Sequence, residues 1–241
     1  MKIIIVRHAD PDYSIDSLTP KGRVEAELLS EKLSKMEIDA FYTSPMGRAK
    51  DTAEYTLKKM KRNATECEWL KEFNYRIDKP NRKNSIPWDW FPEDWCANDE
   101  FFDKDAWKDA PIFKTNGVSE AYDNVCRELD ALLLNYGYKR DGRLYKVLDA
   151  NEKTVVLFCH FGLECVLLSH LLNVSPMVLW HGTCALPSSV TTLVTEERRR
   201  GIAYFRMNGF GDVSHLYAGG EEPSFSARFC ETFDNEEQRH D

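Results

Sequence analysis

The sequence predicts an α/β fold, with a mainly parallel central sheet and helices on both of its faces. Two short β-branched runs, residues 2–6 and 154–159, are apolar throughout, which is typical of strands buried on both faces. Between and after them, strand-like runs alternate with segments whose apolar residues recur at helical spacing. At 241 residues, the chain is long enough to bury one sizeable core.

The first half of the chain gives three strands and two helices. After the strand at 2–6, Thr19 and Pro20 have the form of a helix N-cap followed by proline at the first helical position. Apolar residues at helical spacing then predict an amphipathic helix over 20–36. Residues 38–42 form the second predicted strand. A helix over 47–61 and a third strand over 65–69 follow.

The second half returns to the same alternation after residue 117. Apolar spacing predicts a helix over 119–136, and the strand at 154–159 leads into a helix over 162–172. Residues 189–194 and 202–207 read as closing strands.

Residues 74–117, here called the cap, interrupt this pattern. They hold four of the six tryptophans, several prolines and seven acidic residues between Glu93 and Asp109. So much aromatic mass predicts packing against the rest of the molecule, so we expect an inserted cap over the strand ends and no separate core. The expected organisation is one domain over 1–218 with this insertion, followed by a loosely held, polar and acidic tail over 219–241.

Composition excludes several classes of protein. A net charge of −8 argues against nucleic-acid binding, which needs a basic surface. No window is apolar enough for a membrane span, and no signal peptide is visible. The seven cysteines form no CxxC pair, and several lie in apolar segments as buried thiols do, so we expect a cytoplasmic protein.

Histidines follow both of the buried runs. His8, with Arg7 beside it, comes after the first run, and His160 comes after the second. Ligands of open α/β sheets bind at the carboxyl ends of strands, so both imidazoles are expected at the binding edge. Arg48 lies in the first turn of a predicted helix, where backbone amides already favour an anion. A neutral histidine can act as a nucleophile and an arginine can bind a phosphate.

These segments resemble the histidine phosphatase superfamily, also called phosphoglycerate-mutase-like. Residues 7–9 are similar to its Arg-His-Gly signature, with alanine in place of glycine. Residues 43–53 resemble its Ser-x-x-x-Arg-Ala-x-x-Thr-Ala segment, and residues 158–162 its second-histidine motif. Residues 18–22 resemble the Leu-Thr-x-x-Gly that opens its first helix, and residues 211–216 a common family ending. The matches occur in family order, so the resemblance covers most of the chain.

The resemblance implies a role for each matching residue. His8 would attack phosphorus and become a phosphohistidine, while Arg7, Arg48 and His160 would hold the phosphoryl oxygens. Glu72 matches the general acid that protonates the leaving alcohol. No metal and no cofactor is implied.

Two departures from the family pattern affect the expected chemistry. Ala9 adds a methyl group where the backbone approaches the phosphate, which requires a negative φ. Residues 10–14 lack the asparagine with which family mutases contact the phosphoryl group, which favours a phosphatase. Phe161 excludes the branch that takes its acid from an aspartate there. Asp10 is the second candidate acid and, with Ser188, a candidate substrate-binding residue.

The cap is expected to select the substrate. Lys79, Arg82 and Lys83 are candidates to meet a second anionic group, with solvated loop charge as an equal alternative. Trp88 and Trp90 are candidates to stack on a ring. The acidic cluster disfavours a densely anionic substrate such as a bisphosphate.

The leading hypothesis is a metal-independent phosphatase that acts on a small phosphorylated substrate. The alternatives are a phosphoglycerate-type mutase, a non-catalytic phosphate-ligand-binding protein, and a metal hydrolase with His8, Asp10 and His160 as ligands. The last is disfavoured because adjacent arginines would repel a divalent cation. His181 is a candidate pocket residue, although a surface loop is the more ordinary position for it. The pattern predicts no oligomeric state.

Overall fold

The computed structural model describes residues 1–226 and 228–238. The strands are β1 (Lys2–Arg7), β2 (Pro11–Asp12), β3 (Ser17–Leu18), β4 (Ala40–Thr43), β5 (Thr65–Glu66), β6 (Tyr138–Asp141), β7 (Leu144–Val147), β8 (Thr154–Cys159), β9 (Val190–Arg199) and β10 (Ile202–Asp212). The α-helices are α1 (Pro20–Leu33), α2 (Gly47–Met60), α3 (Pro92–Cys96), α4 (Pro111–Lys114), α5 (Val118–Asn135), α6 (Phe161–Leu172), α7 (Pro176–Gly182) and α8 (Ser214–Ala218). Short 3-10 helices cover Glu68–Leu70, Asp99–Phe102, Ala106–Asp109 and Glu236–Gln238.

The main sheet has the strand order β5-β4-β8-β1-β9-β10-β7-β6. Its first four strands run parallel to one another, while β9, β10, β7 and β6 pair in antiparallel fashion. The predicted α/β fold with a parallel core is therefore confirmed. Strands β6 and β7 were not predicted, because charged residues such as Lys139 and Arg140 give this hairpin no apolar run.

Each face of the sheet packs against helices through its own hydrophobic cluster. Ile3 and Ile5 of β1 share a cluster with α5 and α6. Ile4 and Val6, which alternate with them, share a cluster with α1 and α2. Because helices cover both faces of β1, the residues at its carboxyl end, Arg7 and His8, are also buried.

Several element boundaries differ from the prediction. Helix α1 ends at Leu33 rather than at residue 36, and Ser34 caps it. The third predicted strand is shorter: β5 stops at Glu66, and a 3-10 turn over Glu68–Leu70 takes the place of its end. This turn leads the chain towards Glu72.

The aromatic residues of the cap pack onto the main core. Trp107 is fully buried, and its ring meets those of Phe113, Tyr122 and Trp180 edge-on at 5.2, 5.1 and 5.7 Å between centroids. All four belong to the cluster that holds α5 and α6. These contacts agree with a segment that shares the main core, and the substrate-selecting role of the cap stays a prediction.

The chain after α8 is held more firmly than expected. Ser224 is buried, and the hydroxyls of Ser224 and Ser226 both donate to the carboxylate of Asp10, at 2.5 and 3.0 Å. The prediction of a loose tail is therefore wrong for this part of 219–241. Residues 227 and 239–241, which include His240, lie outside the described residues.

Candidate active site

Strand β1 delivers His8 to the carboxyl edge of the sheet. The ring is 2% exposed, and its Nδ1–H donates to the Ala9 carbonyl at 2.8 Å. A carbonyl can only accept a hydrogen bond, so this contact fixes the tautomer and leaves the lone pair on Nε2. A neutral imidazole with a free Nε2 is the form that a nucleophile needs.

His160 stands beside His8 because their strands are parallel neighbours. Arg7 is in register with Cys159, so the next residue of each strand reaches the same edge. The two ring centroids lie 5.1 Å apart with 57° between the ring planes. The Ser44 hydroxyl oxygen accepts from the Met46 amide and lies 2.8 Å from Nε2 of His160. The Ser44 hydroxyl can therefore donate a hydrogen bond to Nε2 of His160. In that tautomer the proton of the ring is on Nδ1, which is buried without a partner in the described chain and can donate to an anion.

Two guanidinium groups join this pair. Arg7 is buried and donates through Nη1 to the Ala185 carbonyl at 2.7 Å. Arg48, also buried, lies in the first turn of α2 and forms an ion pair with Asp16. The second oxygen of Asp16 accepts from the Gly47 amide at 2.7 Å, so one carboxylate orients both the arginine and the helix end. Sequence reasoning missed Asp16, which lies in a loop without a recognisable motif.

Glycine is needed at position 47 for this arrangement. A Cβ there would lie 2.0 Å from the Asp16 carbonyl oxygen, which no side chain tolerates. The helix end and the loop that carries Asp16 therefore approach each other as closely as their backbones permit.

Burial, together with the neighbouring charges, keeps both histidine rings neutral. Burial, helped by Arg7 and Arg48, holds the pKa of His8 well below its ordinary value. Burial, the neighbouring His8 and both arginines hold the pKa of His160 well below its ordinary value too. The site therefore combines two neutral imidazoles with two permanent cations, a set suited to an anion and to nucleophilic attack.

Glu72 lies at the N-terminus of α6. Its Oε1 accepts from the amides of Phe73 at 2.7 Å and Leu163 at 3.0 Å, while Oε2 is 3.4 Å from the Gly162 amide. A Cβ at Gly162 would lie 2.7 Å from Oε1, so glycine lets the carboxyl sit on the helix. Burial raises the pKa of Glu72, although these amides and Arg48 act in the opposite direction. A raised pKa is what a general acid at neutral pH requires.

The model of the histidine phosphatase superfamily (branch 1) matches residues 3–207. The chain belongs to the histidine phosphatase superfamily. No curated protein sequence matches the chain.

Solved structures of this fold are similar to the chain at low sequence identity. A phosphoserine phosphatase from Entamoeba histolytica, solved with phosphoserine, has a TM-score of 0.59 at 19% identity, over 89% of this chain and 98% of that one. A mycobacterial glucosyl-3-phosphoglycerate phosphatase has a TM-score of 0.52 at 18% identity, over 87% and 98%. The α-ribazole phosphatase from Shigella flexneri has a TM-score of 0.55 at 14% identity, over 88% and 97%. At these identities the similarity establishes the fold.

In this member of the superfamily, Trp88 of the cap lies against Glu72. A Cβ at Gly162 would be 2.7 Å from the Trp88 indole nitrogen as well as from the Glu72 carboxylate. The indole donates to the Phe73 carbonyl at 3.0 Å, and its ring meets Phe161 edge-on at 6.0 Å. The Trp88 indole and the Glu72 carboxylate thus approach the same face of Gly162.

The other aromatic and basic candidates of the cap are placed differently. Lys79 is buried and donates to the carbonyls of Trp88 and Asp89 at 2.8 Å, so the expectation that it meets an anion is wrong. Trp90 is also buried, with its indole bonded to the Pro87 carbonyl, and is not available to stack on a ligand. Arg82 and Lys83 are exposed, as solvated loop charges are.

Asp10 and Ser188 are near the site but are engaged with protein groups. Thr19, Ser224 and Ser226 donate to the Asp10 carboxylate, and its roles as second acid and as substrate-binding residue stay predictions. Ser188 is fully buried, and its hydroxyl lies 3.0 Å from Nε2 of His215. Its amide donates to the His8 carbonyl, so Ser188 helps to position His8, and its role in substrate binding stays a prediction.

Two further residues answer questions that the sequence raised. Ala9 does not have a positive φ, so its methyl group is accommodated, and its amide donates to the Thr52 hydroxyl at 2.9 Å. His181 lies in the last turn of α7, where Nε2 accepts from the Trp90 amide at 3.1 Å. It therefore joins α7 to the cap and is neither a pocket residue nor part of a surface loop.

Other parts of the described chain lack this chemistry. A cavity of about 890 Å³ opens at the opposite end of the sheet, and its acidic residues, Glu37, Asp39, Glu152 and Glu197, outnumber the positive charges of Lys2 and the N-terminus, which disfavours a phosphate there. Within residues 1–226 and 228–238, no cluster of three metal-binding side chains is found. No helix of the same residues has the length and apolarity for a membrane span.

Proposed function

We propose that the protein is a phosphatase that hydrolyses a small phosphomonoester through a phosphohistidine on His8. The observation that carries this proposal is the 5.1 Å approach of the His8 and His160 rings between two buried guanidinium groups. Low pKa values keep the rings unprotonated, so His8 can attack while the arginines attract the substrate.

The first step forms a bond between Nε2 of His8 and phosphorus and breaks the ester bond to the leaving oxygen. Arg7, Arg48 and Nδ1 of His160 stabilise the charge that spreads over the phosphoryl oxygens. Protonated Glu72 gives its proton to the departing alcohol, and Oε2, whose one contact is the long 3.4 Å approach of the Gly162 amide, is the oxygen suited to carry that proton.

The second step releases inorganic phosphate. A water molecule attacks phosphorus, gives a proton to the Glu72 carboxylate, and the phosphorus–nitrogen bond breaks. His8 is neutral again and Glu72 is protonated again, so the site is ready for another cycle. The proposed steps use the chain's own side chains, and a metal among the arginines would meet their positive charge. We therefore expect full activity in the presence of a chelator.

Replacement of the nucleophile tests the proposal. His8→Ala should abolish hydrolysis of an aryl phosphate while the circular dichroism spectrum stays unchanged. His170→Gln is the matched control, since His170 bonds Asp130 away from the site and its loss should leave hydrolysis in place. Wild-type turnover by His8→Ala would refute the role of His8. Transfer of phosphate between positions of a phosphoglycerate, without release, would indicate a mutase.

A further inference from the structure

Glu164 is a buried carboxyl group that the proposed mechanism does not use. It lies in the first turn of α6 and is 1% exposed, and neither of its oxygens makes a hydrogen bond of good geometry within the described residues, although the Thr191 hydroxyl is close enough to lower its pKa. Buried carboxyl groups are normally hydrogen-bonded, because desolvation without compensation is costly. Its position therefore calls for an explanation in terms of neighbouring charge.

The face of the sheet beneath Glu164 carries Arg7. Side chains alternate along β1, so Arg7 shares the face of Ile5 that packs against α5 and α6. Ile5 pairs with Thr191 of β9, and the Arg7 amide donates to Ser189 in the same ladder. Like Glu164, Nε of Arg7 and the hydroxyl of Ser189 are buried without partners in the described chain. A cation and an anion with unfilled hydrogen-bonding capacity thus share one buried layer.

The electrostatics connect these groups. Burial raises the pKa of Glu164 to about 7, while the Thr191 hydroxyl and the Arg7 guanidinium act against the rise and Glu72 adds to it. The thiols of Cys159 and Cys165 are also near, since Glu164 contributes to their raised pKa values. The neighbouring thiols are neutral at neutral pH, so Arg7 and Glu72 are the charged groups that act on Glu164.

We propose that Glu164 is a positioning residue for Arg7 whose ionised form competes with the phosphoryl group for this guanidinium. The inference rests on the proposed function of the site, because it assigns Arg7 to the bound anion. Ionised Glu164 offsets part of the charge of Arg7. Neutral Glu164 leaves the full charge of Arg7 to the ligand, so anion binding and protonation of Glu164 favour each other.

The sign of the effect follows from this competition. Below pH 7 Glu164 is neutral and an anion binds tightly, whereas above pH 7 the carboxylate weakens the binding of the same anion. The carboxylate and the bound anion are like charges that act on the same guanidinium, so we expect an affinity change of about tenfold. Ionised Glu164 would thereby also speed the release of product phosphate.

Calorimetric binding of sulfate tests the coupling without any need for turnover. Sulfate is a dianion throughout the range from about pH 6 to about pH 8, so its own charge does not change while Glu164 titrates. Wild-type protein should bind sulfate about tenfold more weakly at the higher pH. Glu164→Gln should bind it equally at both, with the high affinity that wild type shows at the lower pH.

The matched control is Glu25→Gln. Glu25 is equally buried and burial raises its pKa to about 7, but its carboxyl bonds the Asp10 amide rather than facing Arg7. This variant should keep the wild-type pH dependence of sulfate binding. A flat profile in the control, or the wild-type profile in Glu164→Gln, would overturn the assignment.

Proton uptake on sulfate binding is a second test of the coupling, and it uses proteins in which Glu164 is not replaced. Sulfate binding near pH 7, measured in buffers of different ionisation enthalpy, should take up a proton in wild type and equally in Glu72→Gln. Binding without proton uptake in both proteins would refute the coupling even if Glu164→Gln fails to fold. Failure of the proposed phosphatase function would give a different result: sulfate would still bind with uptake of a proton, but the protein would hydrolyse no phosphate ester.

Discussion

Replacement of Glu72 by glutamine should separate substrates according to their leaving groups. In the wild type, Oε1 accepts from the Phe73 and Leu163 amides at 2.7 and 3.0 Å, and Oε2 has a single long contact of 3.4 Å. The glutamine carbonyl can take the place of Oε1 and keep both short bonds. Its amide nitrogen then replaces Oε2, where it cannot deliver a proton to an alcohol.

General acid catalysis contributes about a hundredfold to ten-thousandfold in rate, so Glu72→Gln should lose about that factor on an alkyl phosphate. A p-nitrophenyl phosphate, whose leaving group needs little protonation, should lose less than about tenfold. Burial raises the pKa of Glu72, so the protonated acid persists to higher pH than an ordinary glutamate would. The rate at which the wild type hydrolyses the alkyl phosphate should fall as pH rises through the pKa of Glu72. This fall should be absent from the pH profile of Glu72→Gln.

The assay is steady-state release of phosphate from matched alkyl and aryl esters. Glu68→Gln is the control, because Glu68 lies in the preceding 3-10 turn and only forms an exposed ion pair with Lys71. It should leave both rates unchanged. Equal losses on the two esters in Glu72→Gln would refute the role of Glu72 and move the acid elsewhere.

Three further predictions test the scaffold of the site. Asp16→Asn should raise KM for a phosphate ester about tenfold, because Arg48 loses its charged partner, and an unchanged KM would show that the pair does not position Arg48. Glu25→Gln should stabilise the protein above pH 7 by up to about 3 kcal/mol, since the raised pKa makes ionisation of this buried group costly. Denaturant unfolding should show that this gain in the free energy of unfolding vanishes as pH falls to the ordinary pKa of glutamate. A gain that persists at that pH would have a cause other than the ionisation of Glu25. Trp107→Ala should cost about 3–5 kcal/mol by the same measurement, and a loss under 1 kcal/mol would mean that the cap does not share the main core.

The parts of the fold that the sequence predicts are those with a strong local pattern. Strands β1 and β8 are apolar along their whole length, so their burial and the placement of His8 and His160 follow directly. The hairpin of β6 and β7 is rich in charged residues, such as Lys139 and Lys146, so it has no apolar run that marks its strands. Its place in the sheet is set by the pairing of β7 with β10, which no local window contains.

The site shows the same division. The candidate residues His8, His160 and Arg48 sit directly after strands or in a first helical turn, where the pattern of the chain identifies them. The residues that hold them in place do not: Asp16 reaches Arg48 from a loop 32 positions away, and Ser224 reaches Asp10 across 214 positions. Lys79 illustrates the converse, because a lysine that looks like a ligand group instead binds two backbone carbonyls inside the cap.

The proposed function depends on covalent phosphorylation of His8 between the two arginines. Rapid mixing with an aryl phosphate, an alkaline quench and mass spectrometry of the digested protein would test it directly. We predict a phosphoryl group on the peptide that carries His8, formed as fast as the aryl alcohol is released and lost on longer incubation. Release of the alcohol with no phosphorylated peptide, or with phosphate on the peptide of His160, would contradict the account.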